Sequence, residues 1–528
     1  MRKLSLFVIK AALLAMLLLS TTVLADVTLP HVISSGMVLQ RQAPVPIWGW
    51  ADPDEQVSVT FAGKTFVTKA VKNGTWKLTL RPLEAGGPYE MTIEAKEAKS
   101  KILLTDVLVG EVWFCSGQSN MGMGIGVVKD AEKEIAAANY PKIRLFDVPK
   151  KPSAQPVSDV DAVWRTCSSD NIKKGGWGGF SAVAYFFGRE IHNKLNVPVG
   201  LIDASWGGSY IEPWTPPDAF ETQPELAPIV EKIKRLNAEY RRNLADSLDP
   251  LQDWIQKTKK ALAENKKFLP EQPDFPQHPF TKNEPHDYPW QPTGLFNGMV
   301  YPVIPFAVKG AIWYQGESNL DDGMLYHKKL KALIGGWRKL WGEGDFPFYF
   351  VQLAPFRYED WPSKNITPTS LPKIWKAQMA SLAIPNTGMA VTTDIGDLND
   401  IHPVNKQDVG KRLALWALAK TYGKEDIVCS GPLYKSMTVE GDKIRISFDY
   451  TGSGLASRDD QPLTWFEIAA ADKKFQKANA EIDGDNILVS NEQITCPVVV
   501  RFAWHQEAVP NLMNKEGLPA SPFTTESE

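Results

Sequence analysis

The residues of this chain that could do chemistry stand where apolar, strand-like runs give way to polar segments. Ser119 follows the run 107–115, and His402 follows the run 388–393. A serine on a sharp strand-to-helix turn exposes its hydroxyl to a carbonyl carbon, and a histidine can take and return its proton. These positions make Ser119 a candidate nucleophile and His402 a candidate general base of an ester hydrolase. On position alone, an ordinary turn at a strand end is the competing interpretation of Ser119.

Such a hydrolase also needs hydrogen-bond donors for the negative oxygen of its tetrahedral intermediate. Gly207 and Gly208 follow the apolar run 197–204. Glycine has no Cβ, so its backbone N–H can approach a substrate oxygen closely. We predict an oxyanion hole that combines a backbone N–H of this pair with the N–H of Ser119 and a side-chain amide.

The elements that must position these residues alternate between strands and helices. Predicted strands lie at 107–115, 142–148, 197–204, 308–314, 348–353 and 388–393, and predicted helices at 180–194, 324–341, 371–382 and 404–422. This alternation is typical of a parallel sheet with helices on both faces. Ligands bind beyond the carboxyl ends of such strands, so one edge of the sheet should collect the candidate residues.

Regions rich in β-strands are predicted on both sides of this catalytic domain, which spans 106–428. Short alternating runs and an Asn73-Gly74 hairpin signal predict an N-terminal β domain at 26–105. Similar runs predict a C-terminal β region at 429–528.

The segment 217–291 interrupts the alternation as an insertion. Its first part is charged and helical with a predicted break at Asp249-Pro250, and its second part is rich in proline and aromatic residues. The second part either straps the fold together or forms a sugar-stacking wall at the mouth of the cleft.

Residues 1–25 have the three parts of a secretory signal peptide: cationic residues, an apolar stretch and small residues up to Ala25. We expect cleavage near Ala25 and a periplasmic or secreted protein without a membrane anchor, since the apolar stretch is too short to span a bilayer. Loss of the three leader cations changes the formal charge from −3 to −6. That charge is too mildly acidic to indicate nucleic acid as a partner.

The four cysteines leave the disulfide pairing open. In an oxidising compartment they permit three complete pairings, of which Cys429 with Cys496 would be local to one region. Cys115 lies inside a strand-like run and is expected to be a buried small hydrophobic residue. Short zinc and calcium motifs are missing from the sequence, so no metal or cofactor is expected.

Three polar segments together resemble a known family. The segments GQSN at 117–120, WYQGESN at 313–319 and DIHP at 400–403 are similar to those of the sialate O-acetylesterase family within the SGNH (GDSL-type) hydrolase superfamily. The resemblance extends to 37–53 and 511–523. It implies a flavodoxin-like α/β/α catalytic domain flanked by β-sandwich-like regions. It also implies hydrolysis of O-acetyl esters of sialic acids, most characteristically at the 9-position, with acetylxylan or another acetylated glycan as the rival substrate.

The resemblance also assigns roles to residues within these segments. Gln315 matches the side-chain amide of the oxyanion hole, where the wider superfamily has an asparagine. Gln118, Asn120 and Glu317 become candidates for binding substrate or for supporting the site. Glu317 either orients its neighbours in the site or bonds the nearby backbone.

The third member of a catalytic triad is undecided in the sequence. The superfamily has an aspartate three residues before the histidine, where this chain has Asn399. Either Asp400 or Asp397 supplies the carboxylate, or a backbone carbonyl holds the His402 ring and the site is a dyad. The dyad is favoured, because Asp400 should point to the other side of an extended segment.

Two other function classes compete with the esterase. A glycosidase could pair Glu317 with Asp394 or Glu111, with its two carboxyl groups about 5 Å apart or somewhat wider, but this class gives Ser119 no role. A non-catalytic glycan-binding protein could use its 18 tryptophans as stacking platforms.

Overall fold

The computed structural model describes residues 26–276, 278–279, 291–358 and 366–526. The strands in these ranges are β1 (Val38–Gln40), β2 (Val45–Trp50), β3 (Gln56–Phe61), β4 (Lys64–Lys69), β5 (Thr75–Leu80), β6 (Gly86–Ala95), β7 (Ser100–Gly117), β8 (Tyr140–Asp147), β9 (Trp164–Cys167), β10 (Val199–Ser205), β11 (Gly310–Tyr314), β12 (Phe348–Val351), β13 (Thr387–Ala390), β14 (Leu433–Glu440), β15 (Lys443–Asp449), β16 (Leu455–Ser457), β17 (Phe466–Ala469), β18 (Gln476–Lys477), β19 (Asn479–Asp483), β20 (Asn486–Ser490), β21 (Val499–Phe502), β22 (Leu512–Asn514) and β23 (Phe523–Thr524). The α-helices are α1 (Ser119–Gly122), α2 (Ala131–Ala137), α3 (Ala182–Leu195), α4 (Ala227–Ala263), α5 (Leu325–Trp341), α6 (Ser370–Ser381) and α7 (Lys406–Trp416).

A mixed central sheet runs in the order β13-β12-β11-β7-β10-β8-β9. Neighbouring strands are parallel except β8 and β9, which are antiparallel. Gly117 at the end of β7 lies opposite Ser205 in β10 and Tyr314 in β11. The carboxyl ends of these three strands therefore meet at one edge, and the predicted α/β architecture with a central sheet is confirmed.

Helices cover both faces of this sheet. Because adjacent side chains of β7 point to opposite faces, this one strand contacts both helical layers. The Trp113 ring meets Phe187 of α3 edge to face at a centroid distance of 4.8 Å. The next residue, Phe114, meets Trp337 of α5 on the other face at 5.3 Å. All four rings are buried, so the apolar run of β7 is enclosed between two helical layers.

Strand β7 belongs to two parts of the chain at once. Its first half pairs antiparallel with β6, and its second half pairs with β10 and β11. The predicted boundary between residues 105 and 106 falls inside this strand. One hydrophobic core accordingly runs from the N-terminal β region into the catalytic region.

The Asn73-Gly74 turn is present, with Gly74 at a φ of +80°. It is not a hairpin, however, because it joins β4 to β5, and these strands lie in different sheets: β4 pairs with β3, and β5 pairs with β2. The hairpin prediction was wrong because a turn signal fixes where the chain reverses, whereas burial decides which strand it then pairs with.

The predicted break in the helical insertion is also absent, since α4 continues through Pro250 to Ala263. Proline removes one N–H donor and bends a helix. The helix nevertheless continues, with Ile233 buried before the proline and Ala261 after it. Most of the aromatic-rich part of the insertion lies outside the described residues, as does the leader at 1–25.

Among the described residues, no helix is both long enough and apolar enough to span a membrane. The four cysteines are free thiols: Cys115, Cys167 and Cys429 are buried, and Cys496 is exposed. The expectation that Cys115 is a buried apolar residue is confirmed.

The C-terminal β region has its own hydrophobic core and contacts the catalytic region through polar side chains. Gln352, directly after β12, donates a hydrogen bond to Ser521 at 2.8 Å. Arg357 donates to Glu507 at 2.7 Å and to the side chain of Asn399 at 3.3 Å. The Arg357 contacts tie the C-terminal region to the loop that carries His402.

Candidate active site

Ser119 is the first residue of α1 and stands on a sharp turn at the end of β7. Gly117 has a φ of +145°, and a Cβ added there would lie 2.1 Å from the carbonyl oxygen of Tyr314. Both features exclude larger residues at this position. The backbone N–H of Gln118 donates to the same Tyr314 oxygen at 2.9 Å, so β11 holds the turn directly before the serine.

Gly207 packs beside Ser119, and the backbone N–H groups predicted as oxyanion donors have no hydrogen-bond partner among the described residues. A Cβ added to Gly207 would lie 3.2 Å from the Ser119 Cβ, so this glycine packs directly against the serine. Within the described parts of the chain, no group accepts a hydrogen bond from the N–H of Ser119, Gly207 or Gly208. The arrangement leaves these donors available for an oxyanion beside the serine hydroxyl.

His402 reaches Ser119 from the loop between β13 and α7. Its Nε2 lies 2.9 Å from the Ser119 Oγ. Burial lowers the pKa of His402; the positive charge of Lys406 acts in the same direction, and Asp400 opposes both. A lowered pKa keeps the imidazole neutral near pH 7, the form that can accept the serine proton.

Asp400, and not Asp397, reaches the other nitrogen of the His402 ring. The Asp400 Oδ1 lies 3.4 Å from Nδ1 and accepts the His402 backbone N–H at 2.9 Å. Asp397 instead accepts the backbone N–H of Asn399 at 2.9 Å. The expectation that Asp400 points away was wrong, because residues 397 to 400 form a tight turn closed by a β-bridge rather than an extended segment.

The Gln315 side chain lies in the interior of the site, where it forms hydrogen bonds with other buried groups. Its Nε2 donates to the Ser209 carbonyl oxygen at 3.1 Å and to Asn319 Oδ1 at 2.7 Å, and its Oε1 accepts from Tyr326 at 2.9 Å. The side chain is fully buried. An amide nitrogen carries two hydrogens, and both are used here. In this arrangement the predicted oxyanion role of Gln315 lacks a free donor.

Asn120, next to the nucleophile, joins the segment after β11, the loop that carries His402 and the start of α7. Its Nδ2 donates to Glu317 Oε1 at 2.5 Å and to the Ile401 carbonyl oxygen at 2.9 Å, and its Oδ1 accepts from Lys406 Nζ at 2.5 Å. The side chain is 1% exposed. Every polar atom of the amide is thus committed, and Asn120 fixes the backbone beside His402 relative to α1.

Glu317 and Lys406 are titratable residues whose side-chain charges are shielded from water by burial. Burial raises the pKa of Glu317, while the hydrogen bond from Asn120 and the charge of Lys406 oppose the shift. Burial lowers the pKa of Lys406 to about 7, against the attraction of Glu317 and Asp400. Lys406 also lies 5.3 Å from the centre of the Tyr314 ring. Both roles left open for Glu317 are therefore present, since it accepts from Asn120 and also from the backbone at residues 316 and 317.

Gln118 is turned inward as well. Its Oε1 accepts from the backbone N–H of Gly316 at 3.2 Å and of Ser318 at 3.3 Å. It is 3% exposed. The side chain therefore fastens the turn after β7 to the turn after β11.

Two residues of the site were not identified from the sequence. Lys406 is the first residue of α7, whose N-cap Asn405 accepts from the Asp408 N–H at 3.2 Å. Trp177 is 44% exposed and lies edge to face with His402 at 4.9 Å. The only signals were a lysine four residues after the histidine and a tryptophan flanked by glycines, and both are too common to select. Among the described residues, no group of three or more His, Cys, Asp and Glu side chains could hold a metal ion.

Comparisons with known proteins agree over nearly the whole chain. Residues 290–418 match the family model described as carbohydrate esterase, sialic acid-specific acetylesterase. The chain is 30% identical to the sialate O-acetylesterase of Rattus norvegicus over 535 residues, which covers 93% of each protein. It is also 30% identical to the Homo sapiens sialate O-acetylesterase over 538 residues, covering 93% of this chain and 91% of that protein.

A solved structure supports the same assignment. It is described as a novel carbohydrate acetylesterase from Xanthomonas citri, and it superposes with a TM-score of 0.77 at 34% identity. The superposition covers 95% of this chain and 100% of the other. The chain is therefore an esterase that belongs to the sialate O-acetylesterase family.

Proposed function

We propose that this protein hydrolyses O-acetyl esters of sialic acids with Ser119 as nucleophile and His402 as general base. The observation that carries the proposal is the 2.9 Å contact between the Ser119 Oγ and the His402 Nε2. Gly207 packs against Ser119, and the N–H groups of Gly207 and Gly208 have no hydrogen-bond partner among the described residues. Nucleophile, base and oxyanion donors are the three parts that acyl transfer to a serine requires.

In the first half of the reaction, the Ser119 Oγ attacks the acetyl carbonyl carbon while the His402 Nε2 takes the hydroxyl proton. The carbonyl oxygen becomes an oxyanion held by the N–H groups of Ser119 and the glycine pair. The bond to the sugar oxygen then breaks, and His402 gives its proton to that oxygen. The sugar leaves with a free hydroxyl, and Ser119 carries the acetyl group.

In the second half, water replaces the sugar. His402 takes a proton from the water as its oxygen attacks the acetyl-serine carbonyl carbon, and the same N–H groups hold the second oxyanion. The ester bond to Ser119 breaks, His402 returns the proton to the Ser119 Oγ, and acetic acid leaves and loses its remaining proton to water to become acetate. Asp400 stabilises the charged His402 ring in both halves through its carboxylate near Nδ1.

Sialic acid is proposed as the sugar because the family model and the rat and human relatives carry it in their descriptions. The Xanthomonas citri structure is described only as a carbohydrate acetylesterase. Acetylated xylan or another acetylated glycan is thus the second candidate substrate.

The glycosidase alternative is disfavoured by the partners of its carboxylates. Asp394 is held by two hydrogen bonds of 2.7 Å from Arg412. Glu111 bonds Arg41 at 2.5 Å and lies where β7 meets the start of β10, at the opposite end of the strands from Glu317. Neither carboxylate is free to form an acid and nucleophile pair with Glu317.

The superfamily and the cellular location complete the proposal. When β8, which is parallel to β10, and its antiparallel partner β9 are left out, the remaining five strands run in the order β10-β7-β11-β12-β13. This is the 2-1-3-4-5 order of flavodoxin-like folds. This order supports an SGNH-type catalytic domain, with the N- and C-terminal strands as flanking β-sandwich-like regions. Export to the periplasm or beyond is proposed from the leader pattern of residues 1–25.

The test is acetate release from acetylated sialic acids, acetylated xylan and p-nitrophenyl acetate by the wild type and Ser119→Ala. We expect sialate turnover in the wild type and a loss of about 10⁴-fold or more in kcat in the variant. Ser116→Ala is the matched control, because Ser116 is a buried serine of the same segment. Turnover of acetylated xylan alone would replace sialic acid by xylan as the proposed substrate. Full activity of Ser119→Ala would refute the proposed mechanism.

A further inference from the structure

A cavity of about 350 Å³ lies one helical turn from Ser119. Its wall includes Gly122, the last residue of α1, and Ser205, the last residue of β10. A Cβ added to Gly122 would lie 2.9 Å from the Ser205 Oγ, so these two walls touch. One turn of helix rises about 5.4 Å. A sugar whose ester reaches Ser119 can therefore place a second group in this cavity.

The cavity is lined by two carboxyl groups and two cations. They are Asp147, Lys150, Arg165 and Asp203, and the remaining lining residues carry no charge. Arg165 forms an ion pair with Asp147 and also donates to the Lys174 carbonyl oxygen at 3.3 Å. Lys150 is exposed at the rim. The lining thus contains one cation, Lys150, that is not matched by the internal ion pair.

Two buried polar atoms of this lining have no hydrogen-bond partner among the described residues. They are Nε of Arg165 and Oδ1 of Asp203, a side chain that is 9% exposed. Buried polar atoms are almost always paired in folded proteins, so an exception calls for a missing partner. An unpaired guanidinium N–H in a cavity is a donor ready for an anionic oxygen.

Asp203 adds no negative charge at neutral pH. Burial raises the pKa of Asp203 to about 8, and the charge of Asp147 acts in the same direction, whereas Ser205 and Lys150 oppose the shift. Cys115 of β7 is the neighbour on the adjoining strand. With Asp203 protonated and Asp147 neutralised by Arg165, the cavity has a net charge of +1, which Lys150 carries.

A glycine-rich loop connects this cavity to the catalytic base. Gly175 and Gly176 cover the cavity: an added Cβ would lie 2.9 Å from Asp147 Oδ2 at the first and 3.2 Å from Lys150 Nζ at the second. Trp177, the next residue, lies against His402. One loop therefore borders both the ester-cleaving residues and the charged cavity.

We propose that this cavity is the subsite for the carboxylate of the sugar, and that the preferred substrates are O-acetylated sugar acids. Arg165 Nε and Lys150 Nζ donate to the carboxylate oxygens, and the protonated Asp203 adds a third donor. The inference rests on the proposed function and sharpens it, because a sialic acid carries a carboxylate several bonds from its acetylated hydroxyls and a xylan backbone sugar does not.

The experiment measures binding to Ser119→Ala protein, so that no turnover is required. Calorimetry compares N-acetylneuraminic acid with its C1 methyl ester, which keeps the shape and removes the charge. We expect the acid to bind about 10-fold more tightly or better, as for charge-assisted hydrogen bonds. Lys150→Met in the same background should reduce this preference to about 2-fold or less. Lys173→Met, which removes an exposed cation of the same loop, should leave the preference intact.

A pH series supplies an independent readout. Ionisation of Asp203 above about pH 8 removes the net positive charge, so the affinity for the acid should fall between pH 7 and 9 while that for the methyl ester stays level. In Asp203→Asn the fall should disappear.

Equal affinity for acid and ester, or an equal loss for both in Lys150→Met, would overturn the subsite. Sodium acetate bound as tightly as the sugar acid would assign the cavity to the released acyl product and overturn it as well. Wild-type protein without sialate turnover refutes the proposed substrate only. The ratio of the two dissociation constants still decides the subsite.

Discussion

One oxygen of Asp400 contacts His402 twice: Oδ1 accepts the backbone N–H at 2.9 Å and lies 3.4 Å from the ring Nδ1. A tight turn thereby aims the carboxylate at the base, although Asn399 occupies the position three residues before the histidine. The Asp400 side chain is 60% exposed. Its charge is consequently screened by water, and its effect on the base should be moderate.

We expect His402→Ala to lower kcat/KM by about 10⁴-fold, because the proton acceptor is lost. Asp400→Ala should cost about 10- to 100-fold, since a screened carboxylate at 3.4 Å orients the ring only weakly. Asp397→Ala is the matched control and should cost less than Asp400→Ala. The measurement is kcat/KM on one acetyl ester. An Asp397 effect equal to that of His402 would contradict this arrangement.

Gln315→Ala should destabilise the protein. Its three side-chain hydrogen bonds are buried, and Asn319 Oδ1 and the Tyr326 hydroxyl would each lose one of their partners. The expected loss is about 1 to 3 kcal/mol in the free energy of unfolding, measured with urea. An unchanged unfolding free energy together with a 100-fold loss of kcat alone would restore Gln315 as an oxyanion donor.

Gly117→Ala should abolish the ordered turn and with it most activity. Its φ of +145° and the 2.1 Å approach of an added Cβ to the Tyr314 oxygen leave no room for a methyl group. Gly335→Ala in α5 is the matched control, because no atom lies within 4 Å of its added Cβ. That substitution should stabilise the helix by about 0.5 to 1 kcal/mol. Normal esterase activity of Gly117→Ala would show that the turn can adjust.

Lys406→Met should remove a pH dependence of stability. The pKa of Lys406 is lowered to about 7 in the folded protein from an ordinary 10.5. Between these values the unfolded chain binds more protons, so Lys406 makes the unfolding free energy rise with pH by at most about 1.4 kcal/mol per unit. The measurement is urea unfolding at pH 7 and 9. Lys411→Met, exposed on the same helix, should keep the wild-type slope, and an identical slope in Lys406→Met would refute the assignment.

The sequence allowed prediction of the strands that lead to Ser119 and to the His402 loop, because the runs 107–115 and 388–393 are apolar. Because such runs alternate with helices along the chain, they indicate a parallel sheet, and parallel strands end at a common edge. The places of these two strands follow from this pattern. Local repeats of apolar residues therefore predicted the central sheet and most of its helices.

Side-chain directions could not be predicted in the same way. Gln315 faces Tyr326 and Asn319 because the chain turns directly after β11, and Asp400 faces His402 because residues 397 to 400 form a turn. Lys406 becomes part of the site through a contact with Asn120, which is distant along the chain. Tertiary contacts determine these directions, and an amino-acid pattern contains no measure of them.

Because both regions share strand β7, no loop or linker forms a boundary between the N-terminal β region and the catalytic region. A chain shortened to begin at residue 106 would start in mid-strand and leave the partners of residues 100–105 with an open edge, which favours association between molecules. Exchange of N-terminal regions between relatives would succeed only with crossover points outside Ser100–Gly117. In a recombined protein, the N-terminal β region and the catalytic region must therefore come from the same parent.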